Sequence, residues 1–289
     1  MAFEFEGSVA VVTGAASGIG RAAAVAFARE GSDIVVSDLN DDDGMQVAAE
    51  IEALGRKALY VHTDVARREE VESLVAASID WQGHCDLFHS NAGIGMAGPP
   101  HTVPQEEWDR VLAINLHSHI WALRGLLPHM LERGSGYLVH TSSSAGTIGF
   151  PSLIPYVVTK FGVVGLCESL AAYLYDRGIG VSVVCPLLVN TNIFDRSWSY
   201  PEEGGVDPMF DEKMGQFVRQ MFAQAGQSPE HVASEIVDAV KANRLYVFPD
   251  PSLKDMIDEK WRDPDAFVKN QAAAFKMQQE TARQFSSAQ

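Results

Sequence analysis

Residues 8–20, SVAVVTGAASGIG, decide the fold. Val9–Val12 is a short β-branched run suited to a buried strand, and it stops at Thr13-Gly14. Three glycines, Gly14, Gly18 and Gly20, then lead into GIGRAAAVAFAREG, a helix-forming stretch closed by Gly31. A strand that turns through glycines straight into a helix aims backbone N–H groups, at the positive end of the helix dipole, at a bound pyrophosphate. Close helix packing also calls for glycines at such a turn. The spacing G-x-x-x-G-x-G is not an NTPase phosphate loop, since no Lys-Ser/Thr follows Gly20.

Outward from that turn the same rhythm repeats. Strands are predicted at 8–14, 33–38, 57–64, 86–93, 136–143, 180–186 and 244–249. Helices are predicted between them over 41–55, about 67–80, from a Thr102-x-x-Gln105 capping box to Gly134, over 155–177, and from Ser228-Pro229. The strand runs are continuously apolar rather than alternating, as expected when helices cover both faces of a parallel sheet. The reading is an α/β fold, a Rossmann-type doubly wound sheet of about seven strands. Beyond Pro186 the rhythm breaks. Residues 190–227 mix Pro, Gly and acidic residues with Phe194, Trp198, Tyr200 and Phe210, and read as a substrate lid. The tail 252–289 reads as a mostly polar helical extension. No repeat or low-complexity linker divides the chain, so residues 1–289 read as a single domain.

The composition excludes several functions. With 22 Lys and Arg against 38 Asp and Glu, the net charge of −16 makes nucleic acid and anionic membrane poor partners. Cys85, Cys167 and Cys185 lie far apart and suggest neither zinc nor disulfides. His117 and His119, two apart on a helix, point in different directions, so no metal site is expected. The acidic N-terminus does not read as a signal peptide, and no uninterrupted apolar run approaches the roughly 20 residues of a membrane span. A cytoplasmic protein is expected.

The second predicted strand ends in Asp38, eighteen residues beyond Gly20. A carboxylate there accepts hydrogen bonds from both hydroxyls of an adenosine ribose and repels a 2′-phosphate. Asp38 would equally cap the turn into the next helix. Asp41, Asp42 and Asp43 add negative charge, and position 39 is Leu rather than a phosphate-pairing Arg, so NAD is favoured over NADP.

Thr13-Gly14-x-x-x-Gly18-x-Gly20, Asn91-Ala92-Gly93 and Tyr156-x-x-x-Lys160, in that order, resemble the short-chain dehydrogenase/reductase family in its compact single-domain form, over roughly residues 6 to 250. The resemblance implies hydride transfer between NAD and a secondary alcohol or ketone. In it Tyr156 moves the hydroxyl proton and Lys160 hydrogen-bonds the nicotinamide ribose. Tyr156 and Lys160, four apart on a helix, share one face. A free tyrosine has a pKa near ~10, and the ammonium, the helix N-terminus and a positive nicotinamide are all expected to lower it. The family's catalytic serine lies thirteen residues before the tyrosine, which selects Ser143 from the Ser142–Ser144 triplet. Ser143 is expected to bond the substrate oxygen, with Ser142 structural and Ser144 beside the substrate. Asn115 matches an asparagine that supports a water-mediated relay from the lysine; stabilising a helix kink is its structural alternative.

The implied cofactor contacts are Gly14, Ser17, Gly18, Ile19 and Gly20 in the first turn, Asp64 and Val65 at the adenine, Asn91, Ala92 and Gly93 at the adenosine ribose, and Val189 and Thr191 at the carboxamide. Two departures stand out: Ser90 precedes Asn91, and Leu187 follows Pro186 where the family has glycine. Leu187 is therefore expected to wall the substrate pocket, with Ile94, Met96, Leu153, Phe194 and Trp198 nearby. The aromatic and methionine content of 190–227 suits a hydrophobic or aromatic substrate, or simply packs the lid. The resemblance also implies a homotetramer or dimer. A non-catalytic NAD-binding sensor on the same fold is the alternative, disfavoured because Ser143, Tyr156 and Lys160 are all intact.

Overall fold

The computed structural model describes residues 3–193, 198–199, 207–208 and 224–287. The elements in chain order are β1 (Val9–Thr13), α1 (Gly18–Arg29), β2 (Asp33–Asp38), α2 (Asp41–Ala53), β3 (Ala58–His62), α3 (Arg68–Gln82), β4 (Leu87–Ser90) and β5 (Met96–Ala97). They continue with α4 (Gln105–Leu112), α5 (Ser118–Arg133), β6 (Gly136–Thr141), α6 (Ile154–Tyr173), β7 (Ile179–Val184), β8 (Trp198–Ser199) and β9 (Asp207–Pro208). After these come α7 (Pro229–Lys241), β10 (Tyr246–Val247), α8 (Ser252–Arg262) and α9 (Pro264–Ser287).

Seven strands form one parallel sheet in the order β10-β7-β6-β4-β1-β2-β3. The order reverses between β1 and β4, and a crevice opens beyond the carboxyl ends of the strands there. Side chains alternate between two buried faces. Val12, Val36 and Val139 pack with Phe27 of α1 and Ile236 of α7, while Val11, Val35 and Leu138 pack with Leu74, Leu126 and Val163 of α3, α5 and α6. Each such fully buried side chain contributes about 1.5–3 kcal/mol, and burial on both faces is why the strand runs are apolar throughout.

Several local expectations are corrected. The long helix predicted to Gly134 is interrupted by a π-turn at Ala113–His117, in which Ser118 N–H donates to the Ala113 carbonyl. The Thr102–Gln105 capping box does not form. Pro104 sits at the N-cap, with φ −59° and ψ 151°, and disfavours helical geometry at Val103, so the helix starts at Gln105. The Gln105 side chain instead donates to Asp109. The tail is helical as read, and the proline after Asp263 divides it into two helices. The three-stranded sheet β5-β8-β9 was not expected, because two-residue strands carry no periodicity. Most of the expected lid at 190–227 lies outside the described residues.

Pro151–Tyr173, with mean hydropathy 1.4, is long and apolar enough to cross a membrane. Its buried residues, among them Thr159, Val163 and Cys167, pack against the sheet and the π-turn, as in a core helix. The three cysteines are free and buried, and burial pushes their thiols up, that of Cys185 to about 12. Among the described residues no cluster of His, Cys, Asp and Glu is arranged to hold a metal.

Three histidines are buried in the sheet and its helices. His89 lies on the α1 face beside Phe27, and His140 on the opposite face stacks on His119 of α5, their Nδ1 atoms 2.9 Å apart. His117 packs instead against Trp121. Burial pushes His89 down to about 3 and His140 to about 4, and holds His119 well below its ordinary value. The folded chain therefore keeps these imidazoles neutral, whereas the unfolded chain protonates them near their ordinary 6.5. Stability should fall as pH drops from 6.5 towards 4, by about 1.4 kcal/mol per pH unit for each histidine. Urea unfolding between pH 7 and 4.5 measures that slope, and His89→Val should flatten it by about one proton.

Candidate active site

The glycine-rich turn is held by contacts that leave no room for side chains. Gly14 has φ +65°, and a Cβ there would come within 2.9 Å of Ala92 Cα. A Cβ on Gly20 would collide with the Gly14 carbonyl and lie 2.6 Å from Asn91 Nδ2. Asn91 is the hub of this region. Its Nδ2 donates to the Thr13 carbonyl (3.1 Å), and its Oδ1 accepts from Thr141 Oγ1 (3.1 Å). Thr13 Oγ1 in turn accepts from Asn91 N–H (2.9 Å) and Ala92 N–H (3.2 Å). His89 Nε2 lies 2.8 Å from Thr141 Oγ1. That hydroxyl's proton is committed to Asn91, so His89 is the donor and carries its proton on Nε2. The ends of β1, β4 and β6 are thereby fixed around one amide. Thr13, Thr141 and His89 were not singled out as site residues in the sequence, because their roles depend on partners brought in by the sheet.

Asp38 closes the other side of the turn. One carboxylate oxygen accepts from Ala16 N–H (2.9 Å), and the other caps the turn by accepting from Asn40 N–H (3.0 Å). The turn-capping reading of Asp38 is thus realised, and the same side chain lines the cleft. Asp64 accepts from Ala66 N–H (3.0 Å) and lines the cleft with Val65.

Along the floor, β6 extends into Ser142 and Ser143 before the 3₁₀ turn Ser144–Gly146. Ser142 Oγ donates to the carbonyl of Lys160 (2.9 Å). Ser143 Oγ accepts from Ala145 N–H (3.1 Å) and lies near the Tyr156 hydroxyl, whose ionised form it favours. Lys160 is 3% exposed, and its Nζ donates to the Thr141 carbonyl (3.0 Å) and lies 5.5 Å from the centre of the Tyr156 ring. Burial lowers Lys160 from 10.5 to about 8. The expectation that its neighbours lower Tyr156 is not met in the chain by itself. Burial pushes the phenol up to about 12 and outweighs the lowering influence of the Ser143 hydroxyl.

Asn115 is fully buried in the π-turn. Its side chain pins Ile94, accepting from Ile94 N–H (2.9 Å) and donating to its carbonyl (2.9 Å), and also donates to Thr159 (3.3 Å). A Cβ on Gly93 would lie 3.3 Å from Asn115 Oδ1 and 3.5 Å from Lys160 Nζ, so all three converge behind the cleft.

The cleft, of about 610 Å³, brings together Gly14, Ser17, Gly18, Ile19, Asp38, Asn91, Ala92 and Gly93 with Ser143, Ser144, Tyr156, Lys160, Val189 and Thr191. Thr191 comes close to Gly18, where an added Cβ would be 3.1 Å from its methyl. Beyond Tyr156 the lining is mostly apolar, with Ile94, Ile114, Phe150, Leu153, Leu187 and Ile193, and Asn192 also lines the cleft. Ile114, Phe150 and Ile193 add to the residues expected there. Met96 is corrected. It is fully buried under the cleft in a cluster with Ile94, Val103 and Val111, because β5 pairs with β8 and turns it inward. The Trp198 backbone pairs with Met96, its side chain is outside the described residues, and so is Phe194.

Residues 8–201 match the family model for short chain dehydrogenases. The probable oxidoreductase EphD of Mycobacterium tuberculosis is 37% identical over 241 residues, 83% of this chain, which spans about two fifths (40%) of that relative's length. A (-)-trans-carveol dehydrogenase of Rhodococcus erythropolis is 37% identical over 212 residues, 68% of this chain and 76% of that relative. The crystal structure of a short chain dehydrogenase/reductase from Burkholderia phymatum in complex with NAD superposes with a TM-score of 0.81 at 29% identity, over 91% of this chain and 96% of that one. A parallel sheet reversing between β1 and β4, a glycine-rich turn held against Asn91, and these likenesses lead to one assignment: the chain belongs to the short-chain dehydrogenase family.

Proposed function

We propose that the chain is an NAD-dependent oxidoreductase that interconverts a secondary alcohol and a ketone on a hydrophobic substrate. The observation that carries this reading is the convergence of Ser143, Tyr156 and Lys160 where the cleft passes from an acidic end to an apolar one. The glycine turn supports a dinucleotide, because glycines at 14 and 20, where any Cβ would collide with neighbouring chain, allow the tight strand-to-helix turn that aims backbone N–H groups at a pyrophosphate. Asp38 and Asp43 at the acidic end favour a free ribose over a 2′-phosphate. Bound NAD would supply the hydride acceptor for the alcohol, or its reduced form the donor for the ketone.

The chain's own residues handle the proton and the oxygen. Ser143 Oγ donates to the substrate oxygen, stabilising charge that develops there. A phenol held at about 12 is a proton donor at neutral pH and suits ketone reduction. Alcohol oxidation requires a positive ring beside Tyr156 to lower it first. Lys160 sits beneath Tyr156 with its ammonium fixed by Thr141, and Asn115 holds Ile94 and the π-turn behind it. Among the described residues no charged side chain lines the end of the cleft beyond Tyr156, which supports an uncharged substrate. The carveol dehydrogenase relative is named for an alcohol. Three free thiols suit a reducing cytoplasm. Exposed Ile120, Val158 and Tyr173 on α5 and α6 support a dimer or tetramer, which sedimentation at micromolar concentration should reveal.

NADH formation from NAD⁺ with a panel of secondary alcohols tests the reading. Binding of NAD with no turnover of any alcohol would favour the sensor instead. Ser143→Ala should lower kcat by about 10²-fold or more while sparing NAD binding, whereas Ser142→Ala, whose hydroxyl faces the Lys160 carbonyl, should do far less. Lys160→Met should abolish turnover yet stabilise the fold. The depressed value of Lys160 is a penalty fully present below pH 8 and gone above 10.5. Offset by the lost bond to Thr141, the gain at pH 7 should be about 2 kcal/mol and should disappear above pH 10.5, as unfolding curves at the two pH values will show.

A further inference from the structure

We propose that Lys260, in the last turn of α8, is a positioning residue that locks the C-terminal helices onto the segment between Ser143 and Tyr156, making the tail a specificity wall of the cleft. The inference rests on the oxidoreductase reading for its substrate and on geometry for the rest. Lys260 Nζ donates to the Thr147 carbonyl at 2.7 Å, across 113 residues of sequence. It lies 5.1 Å from the centre of the Phe161 ring and 4.8 Å from that of Trp261. Thr147 is one turn beyond the catalytic serine, with its N–H and its hydroxyl both donating to the Ser144 carbonyl. Phe161 follows Lys160 directly. One ammonium thus clamps both ends of the stretch that carries Phe150, Leu153 and Tyr156.

The clamp has a second half. Met256 and Ile257 of α8, Phe267 of α9 and Phe150 all pack against the same apolar cluster. Helix α9 rests on the 3₁₀ turn Pro151–Leu153. Phe150 and Leu153 face the cleft on their other side. Among the described residues the tail therefore reaches the substrate end without lining it, and its placement sets how far that wall stands from Tyr156. Among the described residues no carboxylate pairs with Lys260, although acidic residues are in large excess. An ammonium directed at a carbonyl and two ring faces orders a loop in a way that a solvated lysine does not.

Hydrogen exchange and kinetics on full-length Lys260→Met and Lys260→Arg test the assignment, with NAD bound. In Lys260→Met the amides of Gly146, Thr147, Ile148 and Leu153, all hydrogen-bonded in the native loop, should exchange about tenfold faster or more, with the rest of the sheet unchanged. KM for a bulky cyclic alcohol should rise about tenfold against a small one such as 2-propanol, with kcat within about twofold. Lys260→Arg should restore both. Unchanged exchange in that loop overturns the clamp, whether or not any alcohol is oxidised. Faster exchange with no change in relative KM overturns the specificity role. A wild type that oxidises no alcohol counts against the oxidoreductase reading and the specificity role that rests on it, and exchange alone then decides the clamp.

Discussion

An ammonium group held almost entirely out of water is the constraint around which the cleft is arranged. Lys160 Nζ has the Thr141 carbonyl as its hydrogen-bond acceptor, and the Lys160 carbonyl accepts from Ser142. One residue of α6 is thus stitched twice to the end of β6, from its side chain and from its backbone. The desolvation of that charge opposes folding, and the apolar packing of both sheet faces has to outweigh it. What the arrangement secures is a fixed distance between the helix that carries Tyr156 and the strand that carries Ser143.

The other half of the cleft is organised by an uncharged group. Asn91 bonds β1 through Thr13 and β6 through Thr141, so three strand ends are tied at the point where strand order reverses. An open crevice exists there because the crossover helices leave in opposite directions. Without the amide, Thr13 would still hold the backbone after β4 and His89 would still hold Thr141, but no single group would span all three strands. The two halves meet at Gly93, beside both Asn115 and Lys160.

Much of this was legible in the sequence, for a reason that also explains the failures. Seven strands, the glycine turn, Asp38 and the tyrosine–lysine pair all depend on neighbours a few residues away, which spacing records. Met96 misled because an apolar residue near a site reads the same whether it faces the cleft or the core beneath it. The capping box misled because a two-residue match ignored the proline between its members. Tyr156 misled in a different way: its charged neighbours are visible in the sequence and its burial is not. Thr141, His89 and Lys260 left no signal at all, since each acts through a partner supplied by the fold.

The three buried thiols give the molecule a property unrelated to its chemistry. Cys85, Cys167 and Cys185 lie at 0% exposure, behind strands and helices on the α3, α5 and α6 face, with their ionisation suppressed by burial. A thiol reagent meets a reactive sulfur only when that half of the molecule opens. The labelling rate of the intact chain is therefore a clock for its own breathing, with one hand just before β4, one on α6 and one at the end of β7.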